Sequence, residues 1–262
     1  MTASLLARDV TLGYGDKNII EGLSLEVPDH SFTIIIGPNA CGKSTLLRGF
    51  SRLLKPAEGA VLLDGKTLHS QSPKVVARRL GLLPQSSIAP DGITVGDLVG
   101  RGRFPHQSAL RTWSKQDEKA VIEALEATNT TDLSHRLVDE LSGGQRQRVW
   151  VAMALAQQTE HLLLDEPTTF LDIAHQIDLL ELFAELHRGG TTVVAVLHDL
   201  NHAARYATHL VAMRDGAIVA QGDPREVITE ELVEAVYDLP CKVITDPVSG
   251  APLVLPLGKS HS

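Results

Sequence analysis

Only two of the 262 residues are cysteine, Cys41 and Cys241. That excludes a disulfide-stapled scaffold and a cysteine-rich metal site, and it points to a reducing compartment. Positive charge is in deficit: 24 Lys+Arg stand against 32 Asp+Glu, a formal net charge of −8. Affinity for a phosphate backbone comes mainly from Lys and Arg, so nucleic acid is disfavoured as a partner. Long apolar runs are missing too. Leu162-Leu163-Leu164 and Val193-Val194-Ala195-Val196-Leu197 fall far short of the ~20 residues a membrane-spanning helix needs. The N-terminus has no basic start followed by a long apolar core and does not read as an export signal. No internal repeat, low-complexity tract or charge block interrupts the chain. A hydrophobic share of 43% and a charged share of 21% are those of a globular protein, not a disordered chain or a fibre. The length suits one large domain or two small ones. The composition therefore reads as cytosolic and leaves a membrane partner open.

Strand-like and helix-like segments alternate, which favours an α/β fold. Residues 31–36, Ser31-Phe32-Thr33-Ile34-Ile35-Ile36, form a short β-branched run ending at Gly37, as expected of a buried parallel strand. Residues 43–54 carry Leu46, Leu47, Phe50 and Leu53 at helical spacing, and Lys55-Pro56-Ala57-Glu58-Gly59 follows with turn chemistry. Strands are expected at 60–63, 80–83, 162–164 and 191–197. Helices are expected from Gly143 and over 174–187. Residues 86–140 look all-helical, with Ser114 and Asp117 placed to cap a helix over 117–127.

Gly37-Pro38-Asn39-Ala40-Cys41-Gly42-Lys43-Ser44-Thr45 matches the phosphate-loop pattern G-x-x-x-x-G-K-[ST], with a strand before it and a helix after it. The glycines let backbone N–H groups turn inward, and the following helix offers its positive end to phosphate. Lys43 adds a charge at the β/γ-phosphates, and the Ser44 hydroxyl can ligate Mg²⁺. A second, carboxylate element is expected at Leu162-Leu163-Leu164-Asp165-Glu166-Pro167, where an apolar strand delivers two acids at its C-terminal end. Asp165 would hold Mg²⁺, directly or through water, and Glu166 would act as general base on the attacking water. These elements alone leave kinases, GTPases and motor ATPases open. Ser142-Gly143-Gly144-Gln145 decides further: an N-cap serine and two glycines at a helix start expose backbone N–H groups to a second phosphate contact. Two glycines are a poor choice for a helix that needs only to fold.

With these residues in hand, the chain resembles ABC-transporter ATPases. Leu141-Ser142-Gly143-Gly144-Gln145 resembles the family's signature motif. Tyr14 matches the aromatic on which adenine stacks, Gln85 the Q-loop glutamine that contacts Mg²⁺ and senses the membrane subunit, Asp172 the D-loop aspartate, and His198 the switch histidine at the γ-phosphate. The resemblance implies an α/β P-loop NTPase with a RecA-like core, an N-terminal antiparallel β subdomain and an inserted α-helical subdomain. The core would span residues 1–85 and 141–240, the insert 86–140 with the signature at its end, and 241–262 a short tail. It further implies ATP and Mg²⁺, and a head-to-tail dimer in which Lys43 of one copy and Ser142-Gly143-Gly144 of the other enclose each ATP. The remaining implied partners are two transmembrane permease subunits and, indirectly, a substrate-binding protein. The implied place is the cytoplasmic face of the cell membrane.

Gly102-Arg103-Phe104-Pro105-His106, the stretch from Val76 to Gln85 and that from Pro167 to Gln176 resemble the importer branch for iron-siderophores, haem and cobalamin, with the tail most similar to ferric-enterobactin uptake. Cobalamin or haem cargo, and a soluble ABC ATPase without a permease, stand as alternatives. Two residues depart from the family: Ala40 replaces a frequent glycine, for which a small loop adjustment is expected, and Phe170 replaces a small residue before Leu171-Asp172. Cys41, at a helix start beside Lys43, is expected to have a lowered thiol pKa, although a small residue that merely fits the loop is the plainer reading. His198 and His202 have the four-residue spacing of a metal pair on a helix start, but no third ligand stands nearby.

Overall fold

A computed structural model describes residues 4–85, 88–107, 113–169 and 171–258. Phe170 lies outside these residues, as do the first residues of the expected 86–140 insert. In chain order the elements begin with strands β1 (Leu5–Tyr14), β2 (Lys17–Val27) and β3 (Phe32–Ile36), helix α1 (Lys43–Phe50), and strands β4 (Glu58–Leu63) and β5 (Lys66–Thr67). Next come α2 (Pro73–Ala77), β6 (Leu80–Leu83), α3 (Val95–Gly100), α4 (Lys115–Ala127), α5 (Gly143–Ala156), β7 (His161–Asp165) and α6 (Ile173–Arg188). The chain closes with β8 (Thr192–Val196), α7 (Leu200–Tyr206), β9 (His209–Arg214), β10 (Ala217–Gly222), α8 (Pro224–Val227), α9 (Glu230–Tyr237), β11 (Cys241–Thr245) and β12 (Pro252–Pro256). These fall into two compact units, residues 1–70 with 192–262, and residues 71–191.

In the first unit, β2, β1, β4 and β5 form an antiparallel sheet in that order. A two-residue turn with Gly15 at φ 56 joins β1 to β2 and sets Tyr14 opposite Lys17. β3 is buried along its whole length and pairs in parallel with both β8 and β9, which explains its unbroken apolar run. β10 hairpins onto β9 and alternates exposed with half-buried residues, as a strand with one wet face does. The tail after Cys241 is itself a hairpin, β11 on β12. It is held to α7 by a reciprocal pair: Asn201 donates to the Val254 carbonyl at 3.2 Å, and Val254 N–H donates to Asn201 Oδ1 at 2.7 Å.

Helix α1 stops at Phe50, four residues short of the sequence expectation. Arg52 takes a left-handed φ of 68 and Leu53 is exposed, so the apolar spacing of 43–54 overran the helix.

In the second unit, β6 and β7 pair in parallel, and α3, α4 and α5 pack on one another. Among the described residues from 88 to 140, every named element is a helix or 3-10 turn. α4 begins with the expected box: Ser114 Oγ accepts from Asp117 N–H at 3.3 Å, and Asp117 Oδ2 accepts from Ser114 N–H at 3.0 Å. Asp117 also accepts from Arg103 Nε at 2.9 Å, and both side chains are 2% exposed. The Ser114 hydroxyl first, and then Arg103, hold the Asp117 carboxyl down at about 2, against a burial penalty that acts the other way. Its ordinary value is 3.8, so the stabilisation is complete above pH 4 and lost as pH falls through 2. The shift corresponds to about 2 kcal/mol at neutral pH. Asp117→Asn leaves Arg103 as an uncompensated buried charge and should cost about 3 kcal/mol at pH 7. Urea midpoints at pH 7 and pH 3 should show the gap between wild type and variant narrowing at the lower pH; an equal gap would contradict it.

Candidate nucleotide site

The first unit carries the phosphate loop. β3 ends at Ile36, and Gly37 turns the chain at φ 150 with its backbone pressed against β9: a Cβ there would stand 2.2 Å from the Met213 carbonyl oxygen. Gly42 precedes α1 as its N-cap at φ 105, a conformation that favours glycine. Between them Ala40 holds φ 62. The alanine adopts the left-handed backbone outright, at a strain of about 1 kcal/mol. Lys43 is 5% exposed, and its Nζ donates to the carbonyls of Gly37 and Pro38, both at 2.8 Å. The loop is thus closed on its own lysine, with Asn39 and Ala40 exposed at the crest and Ser44 half-buried at the helix start. Thr45 points into the core.

Cys41 corrects the sequence expectation. The thiol is buried at 3% exposure, and burial pushes its pKa up by more than the nearby Lys43 charge pulls it down. Alkylation of native Cys41 should accordingly run at least about tenfold slower than in denaturant. Peptide mass spectrometry after brief iodoacetamide treatment checks this, and equal rates would contradict it.

Tyr14, at the end of β1, is half exposed, and Arg48 of α1 donates to its hydroxyl at 2.9 Å with the guanidinium 5.9 Å from the ring centroid. The ring is thereby held at the surface by Arg48. His198 follows β8 and is exposed. The spacing argument for a His198/His202 metal pair fails here. Asp199 is the N-cap of α7, accepting from Asn201 and His202 N–H at 2.8 Å each, so His198 lies before the helix and the two histidines do not share a helical face. No group of three metal-ligating His, Cys, Asp or Glu side chains occurs among the described residues.

The second unit carries the acids and the signature stretch. Asp165 is the last residue of fully buried β7 and is 3% exposed. Glu166 follows in left-handed geometry, φ 53, directly before Pro167. A bulky residue there is strained, and such strain concentrates at sites that aim a side chain. Gln85, just past β6, donates to Glu166 Oε2 at 2.8 Å, and Thr169 Oγ1 reaches the same oxygen at 3.5 Å.

α5 opens with a capping box: Ser142 Oγ accepts from Gln145 N–H at 3.2 Å, while Gln145 Oε1 accepts from Ser142 N–H at 3.1 Å. A Cβ on Gly143 would meet nothing within 4 Å, and Gly144 would meet only Leu171 Cδ2 at 3.3 Å. Neither has a positive φ. Folding therefore gives no reason for glycine at 143. Asp172 caps α6, accepting from His175 N–H at 3.0 Å and Nδ1 at 2.8 Å; these two bonds hold its carboxyl below the usual range.

Sequence reasoning missed three bonds that order this region. Gln147 of α5 donates to the Pro167 carbonyl at 2.9 Å, Gln176 of α6 donates to the Leu171 carbonyl at 2.9 Å, and Thr169 N–H donates to the Glu166 carbonyl at 3.3 Å. Only the Ser142/Gln145 box had a readable signal, the S-x-x-Q spacing.

A phosphate-binding strand–loop–helix, a strand-end acid pair and a capped glycine-start helix together define a nucleotide-hydrolysing enzyme of the P-loop class. The ABC transporter family model matches residues 20–169. The chain is 58% identical to the ferric enterobactin transport ATP-binding protein of Escherichia coli, over 98% of this chain and 96% of the relative. It is 53% identical to the achromobactin transport ATP-binding protein of Dickeya dadantii, over 99% and 96%. Its identity to the hemin import ATP-binding protein of Myxococcus xanthus is 41%, over 98% of each. Among solved structures, a metal-chelate type ABC transporter in an inward-facing conformation superposes with a TM-score of 0.83 at 27% identity, covering 99% of each chain. A dimeric bacterial ABC transporter cassette gives 0.76 at 27% identity, covering 84% of this chain and 98% of that one. The protein belongs to the ABC transporter family, as an ATPase with the family's α/β fold.

Proposed function

We propose that the chain is the ATP-hydrolysing subunit of a binding-protein-dependent importer of ferric siderophores. The near full-length identity to the ferric enterobactin relative carries this reading. Two copies would meet head to tail, each ATP lying between the phosphate loop of one and Ser142-Gly143-Gly144-Gln145 of the other. The exposed Gly143, which packing does not require, supports that role. Gly37, Pro38, Asn39, Ala40, Cys41 and Gly42 offer backbone to the phosphates, and Thr45 continues the helix start. Lys43 exchanges its two loop carbonyls for β/γ-phosphate oxygens, Tyr14 stacks on adenine, and Asp172 contacts the second copy.

Ser44, Gln85 and Asp165 are hydroxyl, amide and carboxylate oxygen donors, a hard set that suits Mg²⁺ without a carboxylate cluster. When bound, Mg²⁺ neutralises phosphate charge. Glu166, oriented by Gln85 through their 2.8 Å bond, takes the proton of the attacking water. His198 contacts the γ-phosphate as it leaves. ATP then closes the pair of copies and hydrolysis releases it.

No helix of the described residues is long and apolar enough to cross a membrane, so passage falls to partners: two transmembrane permease subunits, with a binding protein beyond them. The protein would sit peripherally at the cytoplasmic face of the cell membrane, its helical region 86–140 receiving a short permease helix. The core would span 1–85 and 141–240, with 241–262 as tail.

Uptake of labelled ferric catecholate siderophore in a strain lacking this chain tests the cargo. Uptake should fall to background and return with the wild-type chain but not with Lys43→Ala. Undiminished siderophore uptake with loss of haem or cobalamin uptake would assign the cargo to those chelates instead.

A further inference from the structure

The phosphate chemistry makes no use of Gly102-Arg103-Phe104-Pro105-His106. This stretch is a 3-10 turn, Arg101–His106, laid across the C-terminal end of α5. Gly102 lets it approach: a Cβ there would stand 2.2 Å from the Met153 carbonyl oxygen. Arg103 Nη1 donates to the Ala156 carbonyl at 2.7 Å and to Gln158 Oε1 at 3.0 Å, while its Nε holds Asp117 of α4. His106 Nε2 donates to the Gln157 carbonyl at 2.8 Å. The last carbonyls of a helix lack partners within it and carry the negative end of its dipole, so two successive carbonyls are capped here by one turn.

The same turn is tied to the approach to Gln85. Arg78 Nε donates to the Pro105 carbonyl at 2.8 Å, and Gln157 Nε2 donates to the Leu80 carbonyl, the start of β6, at 3.3 Å. On its outer side Phe104 is 59% exposed and lines an open groove with Ile93, Asp97 and Gln107. α5 spans 14 residues, a rod of about 21 Å, and its other end is Ser142 with the two glycines.

We propose that Arg103 and His106 are positioning residues for hydrolysis. They clamp the rear of α5 and so aim Ser142-Gly143-Gly144-Gln145 at nucleotide held by the second copy. This rests on the shared-site reading above. Misplacement of a rigid catalytic element by a fraction of an ångström to an ångström lowers turnover without weakening the phosphate loop's own grip on nucleotide. His106 is half-buried, so its variants keep the core intact; Arg103→Lys keeps the charge and loses the forked donor set.

The test measures three quantities on the full chain: affinity for a fluorescent ATP analogue, kcat with KM for ATP, and ATP-driven dimerisation in the Glu166→Gln background. His106→Ala and Arg103→Lys should lower kcat and dimerisation about tenfold while nucleotide affinity stays within about twofold, and His106→Gln, whose amide can donate to the same carbonyl, should recover most of the loss. Wild-type kcat in His106→Ala, a parallel loss of nucleotide affinity, or no recovery in His106→Gln would overturn the proposal. Failure of Glu166→Gln alone to dimerise would instead strike the shared-site reading, and this inference would fall with it.

Discussion

Glu166→Gln should reduce ATP hydrolysis by about 10²- to 10⁴-fold, the span expected for loss of a general base. The amide keeps the shape of the side chain and can still accept the Gln85 hydrogen bond on its carbonyl oxygen. Nothing in the phosphate loop is touched, so nucleotide affinity should stay within a few-fold of wild type. The strained φ of 53 at this position is a backbone property and should survive the change. A steady-state phosphate-release assay checks the rate, and equilibrium binding of a fluorescent analogue checks the affinity. Near-normal turnover would remove Glu166 as the base and shift attention to its neighbours on the same loop.

Lys43→Ala should do the opposite, weakening nucleotide binding by about 10- to 100-fold, the worth of charge-assisted hydrogen bonds to phosphate. Hydrolysis should fall to background because the ammonium also offsets transition-state charge. The loss has a structural part as well. Lys43 Nζ closes the loop on the carbonyls of Gly37 and Pro38, and those acceptors would turn to water in the variant. Calorimetric titration with ATP separates the two positions: Glu166→Gln keeps its affinity and does not turn over, whereas Lys43→Ala binds about 10- to 100-fold more weakly and does not turn over either. Unchanged affinity in Lys43→Ala would mean that backbone N–H groups alone hold the phosphates.

Much of this was legible in the sequence because chemistry confined to a few consecutive residues leaves a pattern. The glycines of the phosphate loop answer to left-handed backbone and a close approach to β9, the run through β7 to burial on both faces, and Ser114/Asp117 to a capping box. Burial of single atoms left no such trace. Cys41 was read from its neighbours in sequence, a helix start and a lysine, and the structure reverses the sign because the thiol lies under the loop. The end of α1 was hidden because Leu53 continues the apolar period while standing in solvent. Bonds between distant residues were out of reach for the same reason: Gln147 to Pro167, Gln85 to Glu166 and Arg103 to Ala156 join segments that only the fold brings together. At His198 the four-residue spacing to His202 put the helix start one residue too early, because Asp199 is the cap and His198 stands before it.

A shared site between two copies is tested most directly by the mass of Glu166→Gln in solution, measured by light scattering with and without ATP and Mg²⁺. The expected result is one chain mass without nucleotide and twice that mass with it, the doubling abolished by adding Ser142→Arg, which places a bulky side chain at the exposed start of α5. A single chain mass at saturating nucleotide, or a doubling indifferent to Ser142→Arg, would contradict it.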